Sequence, residues 1–247
     1  GSEIAGEKIE VKGSGIIEIE GSEIEIESGI EIGDSGKFVI DGSKINSGKG
    51  ISKKGPESTK IISSEIASGG VGIEIDGGEL EIRETKIGSN TDGIVINNDS
   101  RAKMRGVEIG SGKTAIRATG TGEVETDEIE IESKESGIEI GSESEISIGA
   151  GSRIESVETA IKIKGTGVRS YRGIEIIGKR AIDNGSSQTS IRDSEIEGQI
   201  QTSASGEIKI ESSQVGEIEV TGHGRAEITG SEIAGEKIEV KGSGIIE

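Results

Sequence analysis

The sequence contains no cysteine and no tryptophan, and it holds one proline, one methionine, one phenylalanine (Phe38), one tyrosine (Tyr171) and one histidine (His223). Without cysteine there is no disulfide, no thiol nucleophile and no cysteine-ligated zinc. One histidine leaves no multi-histidine metal centre and no histidine relay. Two aromatic rings cannot build a cage for methylated amines, a stacking platform for single-stranded nucleic acid or a sugar-stacking wall. No apolar run approaches the ~18 residues of a membrane-spanning helix, and residues 1–20 carry no basic-then-apolar leader. The chain reads as soluble, with its compartment left open.

What the chain has in quantity is acid, glycine and isoleucine. Lys+Arg total 28 against 47 Asp+Glu, a formal charge of −19, so a phosphate backbone or an anionic membrane is repelled and neither is expected as a partner. Only eight of the acids are Asp. Glutamate in such excess is a choice for surface solubility, whereas aspartate is the commoner short-reach carboxylate of turns and catalytic dyads. Hydrophobic residues make up only 30%, beside 42 glycines.

The isoleucines recur at a fixed period. Alternating triplets begin at Ile9, Ile30, Ile73, Ile94, Ile138, Ile161, Ile218 and Ile238, with Ile51, Ile116, Ile182 and Ile200 filling the series in eleven steps over 229 residues. A second alternating pair follows each triplet, as in Ile17/Ile19, Phe38/Ile40, Leu80/Ile82, Ala102/Met104 and Ile208/Ile210. About five residues later stands a small hydroxyl residue, any residue, then an aliphatic: Ser22-Glu23-Ile24, Ser43-Lys44-Ile45, Thr85-Lys86-Ile87, Ser194-Glu195-Ile196. Period-two alternation bounded by Gly, Ser, Asn or Asp predicts short strands and turns, and no segment shows helical spacing. Three strands per coil of roughly 21 residues predict an all-β, three-strand parallel solenoid of about 11–12 coils, forming a single domain over residues 1–247 and a rod of about 53 Å. The crossover rule predicts right-handed winding.

In coil length, the Gly-Ile-x-Ile openings and the Ser/Thr-x-Ile third strands, the chain resembles the right-handed parallel β-helix family with the pectin-lyase-like fold. That family includes enzymes acting on acidic polysaccharides, so the resemblance implies a search for their motifs. Asn90-Thr91-Asp92-Gly93-Ile94 matches the first motif of polygalacturonase-like members, but the next coil has Gly112-Lys113-Thr114-Ala115-Ile116 where their aspartate pair stands. Gly222-His223-Gly224 lies six coils on, roughly 29 Å by stacking distance, and no Arg-Ile-Lys follows. Glycoside hydrolysis needs two carboxyls within about 5–10 Å, so Asp92 reads as a corner residue and His223 as an exposed turn.

Other motif-like strings read as turns too. Gly110-Ser111-Gly112-Lys113-Thr114 resembles the end of a phosphate-binding loop, but Val107 replaces its first glycine and a strand-like run follows in place of the required helix. Gly69-Gly70-Val71-Gly72-Ile73-Glu74 resembles one calcium-binding nonapeptide but lacks the tandem copies such sites share. Asn98 and Asn184 fit the glycosylation pattern. No catalytic, cofactor-binding or metal-ligating residue is expected, and no cofactor. The outward first-strand row (Glu10, Glu31, Ser52, Glu74, Val95, Arg117, Glu139, Lys162, Asp183) reads as a solvated face of mixed sign.

Residues 1–18, GSEIAGEKIEVKGSGIIE, recur unchanged at 230–247. One perfect copy at an offset equal to the summed coil steps, together with the narrow vocabulary of Ile, Glu, Gly, Ser and Lys, points to deliberate periodic construction. Neither repeat shows a polar or helical cap, so head-to-tail self-association through the terminal coils is expected, opposed by the net charge. The leading expectation is therefore a designed, non-enzymatic structural solenoid that needs no partner. The alternatives are a polysaccharide-binding or polysaccharide-cleaving β-helix and a cell-surface rod.

Overall fold

The computed structural model describes residues 2–33, 36–141, 143–235 and 237–247. Of the repeated segment, Gly1 and Glu236 lie outside the described residues. The alternating segments all become parallel strands, and no helix occurs among the described residues. Consequently none is present that is long and apolar enough to cross a membrane.

The second strands of successive coils, from Ile16–Glu20 to Ile245–Ile246, form one twelve-stranded sheet. First and third strands share an eighteen-stranded sheet. At six corners the third strand runs on into the next first strand without a break: Glu3–Val11, Glu23–Ile32, Arg153–Ile163, Glu175–Asn184, Glu195–Thr202 and Gln214–Val220.

Registration stacks like on like. Ile9 pairs with Ile30, Ile30 with Ile51 and Ile51 with Ile73, and the same column continues through Ile94, Ile138 and Ile182 to Ile238. Branched, χ1-stiff side chains fill such a column in one rotamer, which is why isoleucine dominates the interior.

Every corner from second to third strand uses one device. A residue with φ between 47° and 76° (Gly21, Gly42, Ser63, Glu84 and their equivalents up to Gly230) turns the chain. At most of these corners the next residue carries a hydroxyl that links the coils, whereas Val107, Ile129 and Ile174 stand there in three. Ser43 Oγ donates to the Asp41 carbonyl at 2.9 Å and accepts the Ser22 N–H at 3.1 Å, and Ser64 Oγ does the same with Ile62 (2.6 Å) and Ser43 (3.2 Å). The pattern returns at Ser194 and Ser213. The Ser/Thr-x-aliphatic motif is thus a hydrogen-bond ladder that satisfies corner amides buried between coils.

The corner from third to first strand varies instead. It stretches from Ile87 to Ile94 in one coil and contracts to Val215–Ile218 in another. This corner accounts for most of the shortening of the period along the chain.

Outside, charges alternate between coils. Lys60 meets Glu81 at 2.8 Å, Lys103 meets Glu125 at 3.0 Å, Lys86 meets Glu108 at 2.6 Å, and Arg153 pairs with Glu175. The Lys60 hydrogen bond, with Arg83 beside it, holds the Glu81 carboxyl below the usual carboxylate range. Such exposed pairs contribute little each, but they keep like charges off one another along the column. Val95, expected on this outer face, is only 8% exposed; it lies between Glu74 and Arg117, whose long side chains flank it.

The interior is less uniform than the isoleucine period predicts. Lys53 occupies the column position between Ile32 and Ile75, its Nζ donating to the carbonyls of Lys54 and Gly55. Arg169 stands between Ile146 and Thr189, and Tyr171 between Ile148 and Ile191, all enclosed. Asn184 also points inward. Its amide reaches the Ser187 carbonyl (3.2 Å) and Thr202 Oγ1 (3.3 Å), and its carbonyl accepts Ser187 and Thr189 hydroxyls. A fully buried Asn184 is inaccessible for glycosylation in the folded chain, whereas Asn98 sits exposed at φ 56° in a corner.

Candidate functional site

One edge of the rod carries a groove of about 1330 Å³ where third strands turn toward the next coil. Two registered rows build it. The outward row runs Asn46, Ala67, Gly88, Gly110, Glu132, Glu155, Ile177, Glu197 on successive coils, a length of roughly 34 Å at the inter-strand spacing. The inward row beside it is serine: Ser47, Ser68, Ser89, Ser111, Ser133, Ser156.

The sequence makes the groove where it is. Ala67, Gly88 and Gly110 put almost no side chain on the outward row at its centre, while the corner there is at its longest and contributes Gly69, Asn90, Gly112 and Lys134 to the lining. A side chain added at Gly110 would meet nothing within 4 Å. The space is open because the residues are small, and the backbone does not demand glycine at that position.

The serines are mostly committed to the turns. Ser47 Oγ accepts the Gly50 N–H at 2.9 Å, and Ser68 Oγ donates to the Val71 carbonyl at 2.8 Å. Ser111 Oγ and Ser133 Oγ are buried with no hydrogen-bond partner in the protein. A buried hydroxyl left unpaired costs about 1–3 kcal/mol, and Thr59, Thr126 and Tyr171 of the core share this condition. Charged groups gather toward one end: Glu132, Glu155 and Glu197 with Lys134 and Lys179. Glu155 accepts a hydrogen bond from Arg153 at 2.8 Å. Gly69, Asn90 and Gly110-Ser111-Gly112 stand out in the sequence only as parts of motif-like turns; the groove itself is invisible there because no single coil displays the row, and its signal is the small outward residues recurring one period apart.

The motif residues lie elsewhere or serve corners. Asp92 occupies the corner before the strand Ile94–Asn97, where Arg117 binds it through Nε (3.2 Å) and Nη2 (3.1 Å). Asp92 Oδ1 also accepts the Thr114 N–H at 3.3 Å. Arg117 reaches Glu139 at 3.6 Å, and Lys164 pairs with Glu139 in turn. Burial opposes the Arg117 charge, but Asp92 and Glu139 together raise its proton affinity above the ordinary value. Asp92 is therefore a link in a charge chain across four coils.

His223 is exposed, its Nδ1 2.6 Å from Ser243 Oγ, and the six coils between it and Asp92 span roughly 29 Å. Gly112 and Lys113 bridge two strands, Glu108–Ser111 and Thr114–Ala118, so no helix N-terminus faces them. Gly69–Gly72 form a corner. Among the described residues, no group of three or more His, Cys, Asp or Glu side chains is placed to hold a metal ion.

Comparison with known proteins agrees with this architecture. No curated protein matches the sequence. One similar solved structure is an alginate lyase from Paenibacillus sp. str. FPU-7, 14% identical, aligned over 82% of this chain and 92% of that one with a TM-score of 0.47. The profile of the right handed beta helix region matches residues 49–185, more than half of the chain and most of the groove. The chain belongs to the right-handed β-helix family.

Proposed function

We propose that the groove binds an extended, uncharged polysaccharide along the rod axis without cleaving it. The observation that carries this reading is the groove itself, eight registered coils long, with small residues at its centre and a serine row beside them. Amides and backbone groups suit a polyol, and Asn46, Asn90 and the glycine-rich backbone of Gly88 and Gly110 supply them. A polyuronate would meet Glu132, Glu155 and Glu197 against only Lys134 and Lys179 in the groove, on a chain of charge −19, so electrostatics favours a neutral polymer. Glu132 and Glu155 are neighbours in register, yet both line an open groove and Arg153 engages Glu155. Hydrolysis requires one of the two to be sheltered as the acid, both are exposed, and the reading is binding alone.

The test is calorimetric titration of the chain with neutral and with uronate polysaccharides, beside Gly110→Tyr. A Cβ at Gly110 meets nothing within 4 Å, so the substitution places its ring from an unobstructed position on the groove's outward row. Neutral polymer should bind the parent, bind Gly110→Tyr at least tenfold more weakly at unchanged melting temperature, and release no reducing ends. Equal binding by the two proteins would remove the groove from the account.

A second reading, a purely structural rod of deliberately simplified sequence, is supported by the exact repetition of residues 1–18 at 230–247. A panel of neutral polysaccharides that all fail to bind would favour it.

A further inference from the structure

The repeated segment is seen in two settings. At residues 2–18 it pairs on the side facing the second coil: Ile4 with Ile24, Ile9 with Ile30, Val11 with Ile32, Ile17 with Phe38. At residues 231–247 it pairs on the opposite side, facing the eleventh coil: Ile233 with Val215, Ile238 with Ile218, Val240 with Val220, Ile246 with Ala226. One sequence thus fits a neighbour on each of its two sides, and each copy uses one side. The unused side of the C-terminal copy is exposed, with Ile238 at 52%, Val240 at 46% and Ile245 at 50%.

We propose that residues 230–247 of one chain take the place of residues 1–18 against the second coil of another chain, joining copies head to tail by exchange of a coil. The C-terminal copy would then use both sides at once, each in a pairing already present in the fold. Glu23, Gly33 and Lys37 donate their N–H groups to the carbonyls of Ser2, Val11 and Gly15; Ser231, Val240 and Gly244 are the same residues of the repeat.

Charge separates exchange from simple end-on stacking. Stacking one repeat on the other lays Lys237 on Lys8, Glu239 on Glu10 and Lys241 on Lys12, like on like. Exchange instead delivers Lys237 to Glu31, the bridge that Lys8 makes now. The segment to be displaced is thinly held, since most of Glu3–Val11 is exposed and Ile16 is 65% exposed. Corner lengths allow it: Ile233 to Ile238 is intermediate between Val215–Ile218 on one side and Ile24–Ile30 on the other. The inference is independent of the groove and of what the groove binds.

The chain has no cysteine, so a disulfide can report the neighbour. In the exchanged form Glu239 stands opposite Glu31, at the ~4.8 Å rung spacing, which suits a disulfide. Within one chain these two positions lie roughly 48 Å apart, ten rungs of the rod. Glu31→Cys with Glu239→Cys, held warm at high protein concentration and then oxidised, should give a non-reducing ladder in multiples of 25.5 kDa. Glu10→Cys with Glu239→Cys should not. A ladder from the second pair and none from the first would establish stacking and overturn exchange. Light scattering on the unsubstituted chain keeps the proposal falsifiable if a variant folds poorly. Its mass should climb with concentration, more steeply in salt, and a mass fixed at 25.5 kDa would also overturn it.

Discussion

Arg169 and Tyr171 point inward from one second strand, two residues apart, and both are fully enclosed by the rod. The guanidinium has carbonyl acceptors at Val168 (3.0 Å) and Thr166 (3.2 Å), while Arg169 Nε and Tyr171 Oη find no partner. Burial drives the arginine's proton affinity down and the phenol's pKa well above its ordinary value.

That placement gives the tyrosine an observable titration. Its folded pKa exceeds the unfolded value of about 10, so the neutral phenol is favoured by folding. The contribution is fully present below pH ~10 and is lost as pH rises from there toward the folded value. Tyr171 is the only tyrosine and there is no tryptophan. The ultraviolet tyrosinate band should therefore stay absent near pH ~10 and appear together with loss of the β-sheet circular dichroism. A band that develops at ordinary pH with the fold intact would refute its enclosure.

Arg169→Leu should stabilise the chain. A buried cation without a carboxylate partner is disfavoured, and an apolar residue would continue the column from Ile146. Thr166 and Val168 are exposed, so their carbonyls can turn to water. The expected gain is about 1–3 kcal/mol, read as a higher urea midpoint at unchanged slope. A loss would mean that the guanidinium contributes more through its carbonyl bonds than it costs by burial.

The corners give a paired prediction of opposite sign. Ser212 holds φ 51° with a side chain, whereas Gly42 holds φ 55° with nothing within 4 Å of a Cβ. Ser212→Gly should stabilise and Gly42→Ala destabilise, each by about 1 kcal/mol, since only backbone strain is exchanged. Thermal melts of both variants check the pair, and equal signs would show that something other than the left-handed conformation governs the corner.

Ser64→Ala removes one rung of the hydroxyl ladder. It strands the Ser43 N–H and releases the Ile62 carbonyl, in a residue only 5% exposed. A cost of about 1–2 kcal/mol is expected by denaturant titration. Ser52→Ala on the outer face is the control and should be silent.

Much of this molecule was legible in the sequence because its interior is written in one letter. Wherever isoleucine alternates with polar residues, the side that packs is unambiguous, and the coil period follows. Legibility failed where the interior is polar. In Val168-Arg169-Ser170-Tyr171 hydropathy alone puts Val168 inside, yet register with Ile146 and Thr189 turns Arg169 inward and leaves Val168 61% exposed. Asn184 fits the glycosylation pattern in sequence, yet register turns it inward. The groove was hidden differently. Ala67, Gly88 and Gly110 are ordinary residues in their own coils, and only stacking them one above another creates an opening. Asp92, by contrast, drew attention as part of a motif, and its carboxylate is committed to Arg117.

The two kinds of corner divide tolerance to change between them. Where second strand meets third, nearly every coil uses the same two-residue turn, and most close it with a hydroxyl that reaches the coil beside it. That corner varies little: only at Gly149–Ser152 is it a residue longer in register, and there Ser152 Oγ still accepts the Ile129 N–H of the coil beside it. Where third strand meets first, the coils already differ by several residues without disturbing their neighbours. Added sequence can therefore accumulate along that edge alone, and that edge borders the groove. New loops could deepen, roof or partition the opening while the thread of the screw stays unchanged, so the part of this fold most free to vary is also the part best placed to acquire selectivity.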